Sequence, residues 1–325
     1  MQKKEYGGFL PIELNPGREH FFMYEDFTYR FNSVKASLHF LIKHLKKKSI
    51  YIPYYYCPST IEAIKKTGVS VKFYHIDKSF MPANLPDEKD NIVLLVDYFG
   101  VCTDLLEEIV KTYNNSEVII DKAHAFFTKP IIRNHTHNLY SAKKFFGIPD
   151  GSYLISSTLF EKDNHLSYAN GYANYLLKAY EEGTNSVYAE KKEIDKILAD
   201  NYGNMSSLSI GLLQNVDYDR VEARRTRNYR TLYGAFSGIN ELTVPKRVAA
   251  YQFPLLLSVK GSIAKKKLIE KKIFVSTLWA GHDLKVNGNG FELNMMENGV
   301  FLPIDQRYND KDMEYIINCV HDAMK

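Results

Sequence analysis

Residues 93–96, Val-Leu-Leu-Val, are apolar at every position and sit inside a stretch, 91–100, that closes on Asp-Tyr-Phe-Gly. A strand with one face in water alternates apolar and polar residues, whereas a continuous apolar run fits a strand buried on both faces. Such strands belong to mainly parallel sheets covered by helices on either side. The segments around this run agree. Strands are predicted at 49–54, 69–77, 117–127 and 151–157. Helices are predicted at 33–47, capped by Ser33 and apolar at Leu38, Leu41, Ile42 and Leu45, at 59–68, ended by Gly68, and at 103–113, capped by Thr103. Alternating strands and helices at this spacing imply an α/β chain with a mainly parallel sheet between helices.

Further along, 170–200 is helical and charged, and 206–235 is helical with one turn near Asn215–Asp217. A strand at 250–259 and an amphipathic helix at 310–325 complete a smaller C-terminal α+β domain. We divide the chain into an N-terminal arm over 1–30, a large domain over 31–200, and a long helix with the small domain over 201–325. A length of 325 residues suits two such units and a sizeable core.

Charge excludes some functions. With 42 basic against 38 acidic residues, a net charge of +4 is too balanced for a nucleic-acid binder. The densest basic run, 43–48, falls at the end of a predicted helix, where cations favour the dipole. No apolar stretch is long enough for a membrane span or a signal peptide, so a soluble, cytoplasmic protein is expected. Cys57, Cys102 and Cys319 are isolated and odd in number, against a disulfide framework and against a zinc site, so no metal is expected.

In parallel α/β sheets, ligands sit at the carboxyl ends of the strands. Three segments end there: Pro53–Tyr56, Asp97–Gly100, and the strand that delivers Asp121, with His124 three residues later. Residues 138–156 then hold Ser141, Lys143 and Lys144 before a turn of Gly147, Pro149, Asp150 and Gly151. A lysine in a partly dry loop has a lowered pKa and is a competent imine-forming nucleophile. Asp121, a lysine 23 residues later and the helix start at Ser33 together suit a ligand with a basic ring nitrogen, an aldehyde and a phosphate. Pyridoxal phosphate (PLP) fits: Asp121 would hold the pyridinium protonated, and the helix N-terminus would take the phosphate. Each residue also has a plainer reading. Asp121 alone is equally a turn residue, His124 a satisfied buried histidine, and Lys143 a surface lysine. Trp279 reads as packing, and Asp305 with Arg307 as a structural pair.

The segments "GGFLPIEL", "FNSVKASL", "YIPYYYCPS", "VKFYHID", "VDYFG", "IIDKAHAFF", "YSAKKFFGIPDGSYL" and "LPIDQRY" together resemble the DegT/DnrJ/EryC1/StrS group of fold-type-I, PLP-dependent sugar aminotransferases, in a short, divergent branch. The pairing of "IDKAHAFF" with "SAKKFFGIPDG" is the specific part. The resemblance implies a seven-stranded-type sheet and a homodimer with shared active sites. It implies Lys144 as the Schiff-base lysine, Asp121 as the partner of the ring nitrogen, and His124 beside the ring and its phenolic oxygen. Ser141 falls near a phosphate-contacting serine, and Ser33, Val34 and Lys35 fall on the phosphate turn, with Val34 where glycine is usual. Cys57 takes the place of the aromatic that stacks on the ring, with Tyr56 beside it, and Asn204 is the candidate for the asparagine that reaches the phosphate from the neighbouring subunit. The implied activity moves an amino group from glutamate to a nucleotide-linked keto sugar, in polysaccharide or amino-sugar biosynthesis. A dehydratase, an aminotransferase for a non-sugar ketone and a non-catalytic relative are the alternatives. Members that dehydrate tend to carry histidine in place of the lysine, so Lys144 favours transamination.

Overall fold

The computed structural model describes residues 6–82, 85–162, 165, 167–257 and 261–325. Among the described residues, nine strands run in chain order: β1 (Thr28–Phe31), β2 (Ser49–Pro53), β3 (Ser70–Tyr74), β4 (Asn91–Val96), β5 (Glu117–Asp121), β6 (Thr136–Ser141), β7 (Ser152–Ser156), β8 (Gln252–Leu256) and β9 (Gly299–Pro303). The helices are α1 (Val34–Leu45), α2 (Pro58–Lys65), α3 (Thr103–Val110), α4 (Asn174–Glu182), α5 (Tyr188–Asp200), α6 (Ser207–Gln214), α7 (Tyr218–Phe236), α8 (Gly261–Glu270), α9 (His282–Asn287), α10 (Gly290–Asn298) and α11 (Asp310–Met324).

Seven strands form one sheet in the order β1-β7-β6-β5-β4-β2-β3. The pairs β2·β3, β2·β4, β4·β5 and β5·β6 are parallel, while β6·β7 and β1·β7 are antiparallel. β8 and β9 form a separate antiparallel pair, packed with α7, α8 and α11 around Phe253, Leu268, Leu302 and Val320. The apolar run reads as its pattern demands: Ile92, Val93, Leu94 and Leu95 are fully sealed. Burial of each such side chain contributes roughly 1.5–3 kcal/mol.

Alternation along β6 and β7 shows why both faces must be covered. Leu139 and Leu154, paired in register, face the cluster that holds Leu38, Leu41 and Ile42 of α1. Their neighbours Tyr140 and Tyr153, also paired, face Phe126, Leu213 of α6 and Val221 of α7.

Register then sets where the chain's polar ends emerge. Val96 stands opposite Asp121, and Asp121 opposite Leu139, so β4, β5 and β6 finish along one crest. β1 runs antiparallel to β7, with Phe31 opposite Ser152, and so brings Asn32 and Ser33 to the same crest. There Ser33 starts α1, its Oγ accepting from the Ala36 N–H at 3.2 Å.

The opposite end of the sheet is tied by Asp87. Its carboxylate accepts from the backbone N–H groups of Asn114 (2.9 Å), Asn115 (2.9 Å) and Ser116 (2.8 Å), joining the approaches to β4 and β5. Burial pushes this carboxyl up, but the backbone N–H donors outweigh it and hold the pKa down at about 2. A depressed folded pKa gives stability that is present above the unfolded value and lost as pH falls through the folded one. Asp87→Ala is therefore expected to cost about 1–2 kcal/mol at pH 7, discounted for partial exposure. Denaturant melts should show that gap closing as pH falls from about 4 through about 2.

Candidate active site

A cavity of about 420 Å³ opens at the crest. The loop after β2 contributes Tyr56 and Cys57, the end of β5 gives Asp121 and His124, and the end of β6 gives Ser141 and Lys144. The start of α1 adds Ser33, Val34 and Lys35. One site thus gathers all but one of the residues singled out in the sequence. The exception is Asn204, which bridges to Phe31 and lines a different cavity with His39 and Tyr202.

Asp121 is buried. Its Oδ1 accepts from the Ala123 N–H at 2.8 Å and its Oδ2 from the Tyr56 hydroxyl. Burial raises its pKa, and the bond from Tyr56, the Ala123 N–H and the charge of Lys144 offset that only in part. Tyr56 is accordingly fixed by its hydroxyl to the carboxylate, which makes it a brace for Asp121.

Three lysines follow the ends of β5 and β6, Lys122, Lys143 and Lys144, and their surroundings separate them. Lys122 is sealed, donating to Thr128 Oγ1 (3.1 Å) and the Lys129 carbonyl (2.9 Å), with Asp97 3.7 Å away. Lys143 is paired with Asp195 of α5 at 2.8 Å, so it is a tied residue at the cavity rim and not a free surface lysine. Lys144 reaches the cavity, and its Nζ lies 2.7 Å from His124 Nε2. It is accessible from the cavity yet surrounded by protein. That loss of solvation lowers its pKa, against the pull of Cys57 and Asp121. Such an amine is more often unprotonated, as a nucleophile must be.

His124 is buried, and both burial and the Lys144 charge hold its pKa well below the usual imidazole value. Its Nε2 is hydrogen-bonded to Lys144 Nζ, and its Nδ1 has no protein partner among the described residues. The turn beside it is close-packed. Gly100 has φ +80, and a Cβ there would lie 3.3 Å from the His124 carbonyl oxygen.

At the α1 end, the first helical N–H groups, those of Val34 and Lys35, lack intrahelical partners and face the cavity wall. This end suits an anion. Cys57 caps α2, its Sγ 3.3 Å from Ser59 Oγ. Burial pushes the thiol up, but hydrogen bonds from Ser59 and Thr60 and the charge of Lys144 bring it down overall.

Two further wall residues carry no sequence signal of their own. Tyr251 precedes β8; Lys144 Nζ sits 5.4 Å from its ring centroid, and its N–H donates to the His124 carbonyl at 3.2 Å. Trp279, read from the sequence as packing, lines the cavity and stacks on His124 at 5.3 Å. Asp305 and Arg307 form the bidentate pair expected, at 2.7 and 2.9 Å.

The arrangement offers an amine whose pKa burial lowers, a buried carboxyl group in the same cavity, and helix-start N–H donors for an anion. No protein-family model and no curated protein matches the chain. Solved structures do match. The sugar aminotransferase CalS13 from Micromonospora echinospora is 13% identical, with a TM-score of 0.60 over 91% of this chain and 87% of that one. A DegT DnrJ EryC1 StrS aminotransferase from Brucella abortus is 14% identical, with a TM-score of 0.61 over 91% and 85%. The E. coli GDP-4-keto-6-deoxy-D-mannose-3-dehydratase, solved with bound hydrated PLP, is 15% identical, with a TM-score of 0.64 over 92% and 89%. With a seven-stranded mixed sheet, a small second sheet and near full-length overlap, this chain has the fold that these sugar aminotransferases share with the dehydratase.

Proposed function

We propose that the chain is a PLP-dependent aminotransferase that moves an amino group from glutamate to a nucleotide-linked keto sugar. One observation carries the reading: Lys144, its pKa lowered, shares a cavity with the buried carboxylate of Asp121 and the open N-terminus of α1. The donor set fits the cofactor. Asp121 is a buried acid with no cation within ion-pair distance among the described residues, and a pyridinium would supply one. His124 Nδ1 has no protein partner among the described residues and is left for a group of the cofactor, and the N–H groups of Val34 and Lys35, with Ser141, suit a phosphate.

When bound, PLP supplies an electron sink for a carbanion and an aldehyde for covalent attachment. The protein's share is positional and acid–base. Lys144 Nζ would be the attachment point and, when free, would hold or move a proton as base and acid. His124 orients that amine through Nε2. Asp121, braced by Tyr56 and Ala123, keeps the ring nitrogen protonated. Tyr251 and Trp279 close the cavity around the transfer.

The structural neighbours include sugar aminotransferases, and the amino-donor and keto-sugar substrates follow from that likeness together with Lys144. A homodimer with shared sites, a cytoplasmic location and a place in polysaccharide or amino-sugar synthesis belong to the same proposal; no helix among the described residues is long and apolar enough to cross a membrane. The likeness to the dehydratase favours a second reading, in which a sugar hydroxyl leaves instead. Loading the protein with PLP and adding glutamate tests the first half of the reaction. About one 2-oxoglutarate per chain is expected, followed by nitrogen appearing in an added keto-sugar nucleotide. Loss of the sugar hydroxyl without nitrogen incorporation would support the dehydratase reading, and a protein that takes up no PLP would sink both.

A further inference from the structure

We infer that Trp279 is a substrate-contacting, specificity-determining residue whose indole N–H and ring face recognise a hydroxylated ring, such as a sugar, at the small-domain wall of the site. This rests on the function proposed above and extends it to a residue outside the strand-end cluster. Trp279 lies in the irregular segment before α9, far in sequence from the strands that build the crest, yet it lines the cavity.

Its donor is unspent. Among the described residues no group accepts from the indole N–H, and that nitrogen is not sealed from solvent. A fully buried tryptophan N–H usually finds a partner; this one, on a half-buried residue of the cavity wall, is open to solvent.

Its placement is also held against a backbone cost. Trp279 has φ +56, a left-handed conformation that bulky residues rarely adopt. The Gly281 N–H donates to the Trp279 carbonyl at 2.7 Å and closes the turn. Gly281 itself presses on Pro58, where a Cβ would come within 2.8 Å of Pro58 Cγ. The turn is therefore docked on the start of α2, beside Cys57. The ring is oriented by edge contact with Tyr55 at 4.7 Å and by stacking on His124 at 19°. His124 contacts both Lys144 Nζ and the indole, so a single side chain separates Trp279 from the amine.

The chemistry of that wall selects its ligand. An indole face covers the C–H face of a saturated ring, and an N–H donor asks for a hydroxyl, ether or carbonyl oxygen. A ligand without such an oxygen would leave the N–H unpaired on closure, a cost that a sugar avoids. A purely structural tryptophan, by contrast, would affect stability and treat all ligands alike.

Trp279 is the only tryptophan in the chain, so its emission reports on the site directly. The PLP-loaded protein is titrated with UDP-glucose, GDP-mannose and dTDP-glucose, and separately with UDP, GDP and dTDP. Saturable change of emission is expected with at least one sugar nucleotide and not with its bare nucleotide. Trp279→Phe keeps a ring and loses the donor. It is expected to weaken that sugar nucleotide by about three- to tenfold in equilibrium dialysis, to leave the bare nucleotide unchanged, and to retain the visible cofactor band as proof of folding. Trp279→His restores an N–H donor and should recover part of the loss. Unchanged sugar-nucleotide affinity in Trp279→Phe, or no response to any of the three sugars while the cofactor band is present, overturns the inference. A protein with no cofactor band at all overturns the proposed function, and the inference with it.

Discussion

Lys144→Ala is expected to lower transamination by at least about 10³-fold and to abolish covalent retention of the cofactor. The reason is geometric. Of the three lysines after β5 and β6, Lys122 is sealed and Lys143 is held by Asp195, whereas Lys144 opens into the cavity with no carboxylate at ion-pair distance among the described residues. Its one close contact, His124 Nε2 at 2.7 Å, keeps it aimed and cannot replace it, because a neutral buried imidazole forms no imine. Lys144→Arg should fail equally: the guanidinium keeps the positive charge but is not deprotonated. Lys143→Ala should still capture the cofactor covalently. Absorbance spectra after gel filtration, with rates from 2-oxoglutarate release, check all three variants.

Asp121→Asn is expected to change activity and stability in opposite directions. Activity should fall by about 10²-fold or more, because a neutral amide no longer stabilises the charge on the ring nitrogen. Stability of the cofactor-free protein should not fall. Burial raises the carboxyl pKa above its ordinary 3.8, so ionising it is unfavourable in the folded chain. For an acid shifted in this direction, the penalty is absent below the unfolded value and grows as pH rises from about 3.8 through the higher folded value. Above that folded value the wild type carries it in full and the amide does not. A Tm for cofactor-free Asp121→Asn raised by about 2 °C is expected, with the difference shrinking as pH is lowered toward 4. A carboxylate kept at this cost belongs to function, since an uncharged residue would serve the fold better.

The two features most readable in the sequence were those with a local physical signature. β4 and β5 could be placed because every residue between two covering helical layers must be apolar. Asp121 stood out because a charge ends such a run. Three strands escaped notice: β9, which pairs with β8, and two strands of the main sheet. β6 holds His137 and Asn138, which look like loop residues, but both are buried and satisfied: His137 by Glu117 and Ser156, and Asn138 by the Ile131 backbone. β1 carries Arg30, which is paired with Glu19 and Glu25, and its pairing partner β7 lies more than a hundred residues away. The predicted strand at 117–127 stops at Asp121, where the chain turns to bring His124 over the cavity.

The site divides in the same way. Ser33, Asp121, His124 and Lys144 sit at element ends, and element ends are marked in sequence. Tyr251 and Trp279 reach the cavity only because the C-terminal part of the chain packs against the strand ends, through the Tyr251 N–H on the His124 carbonyl and Gly281 on Pro58. No spacing rule carries that information. The same holds for Asp195, which meets Lys143 through the packing of α5, 52 residues away in the chain.

The central claim is that Lys144 forms the covalent link to PLP. Borohydride reduction of the PLP-loaded protein, followed by proteolysis and mass spectrometry, reads it out directly. The account predicts a single pyridoxyl group on the peptide that holds Lys144, absent after Lys144→Ala. A label on Lys143, on Lys122 or on scattered surface lysines, or no label at all, would contradict it.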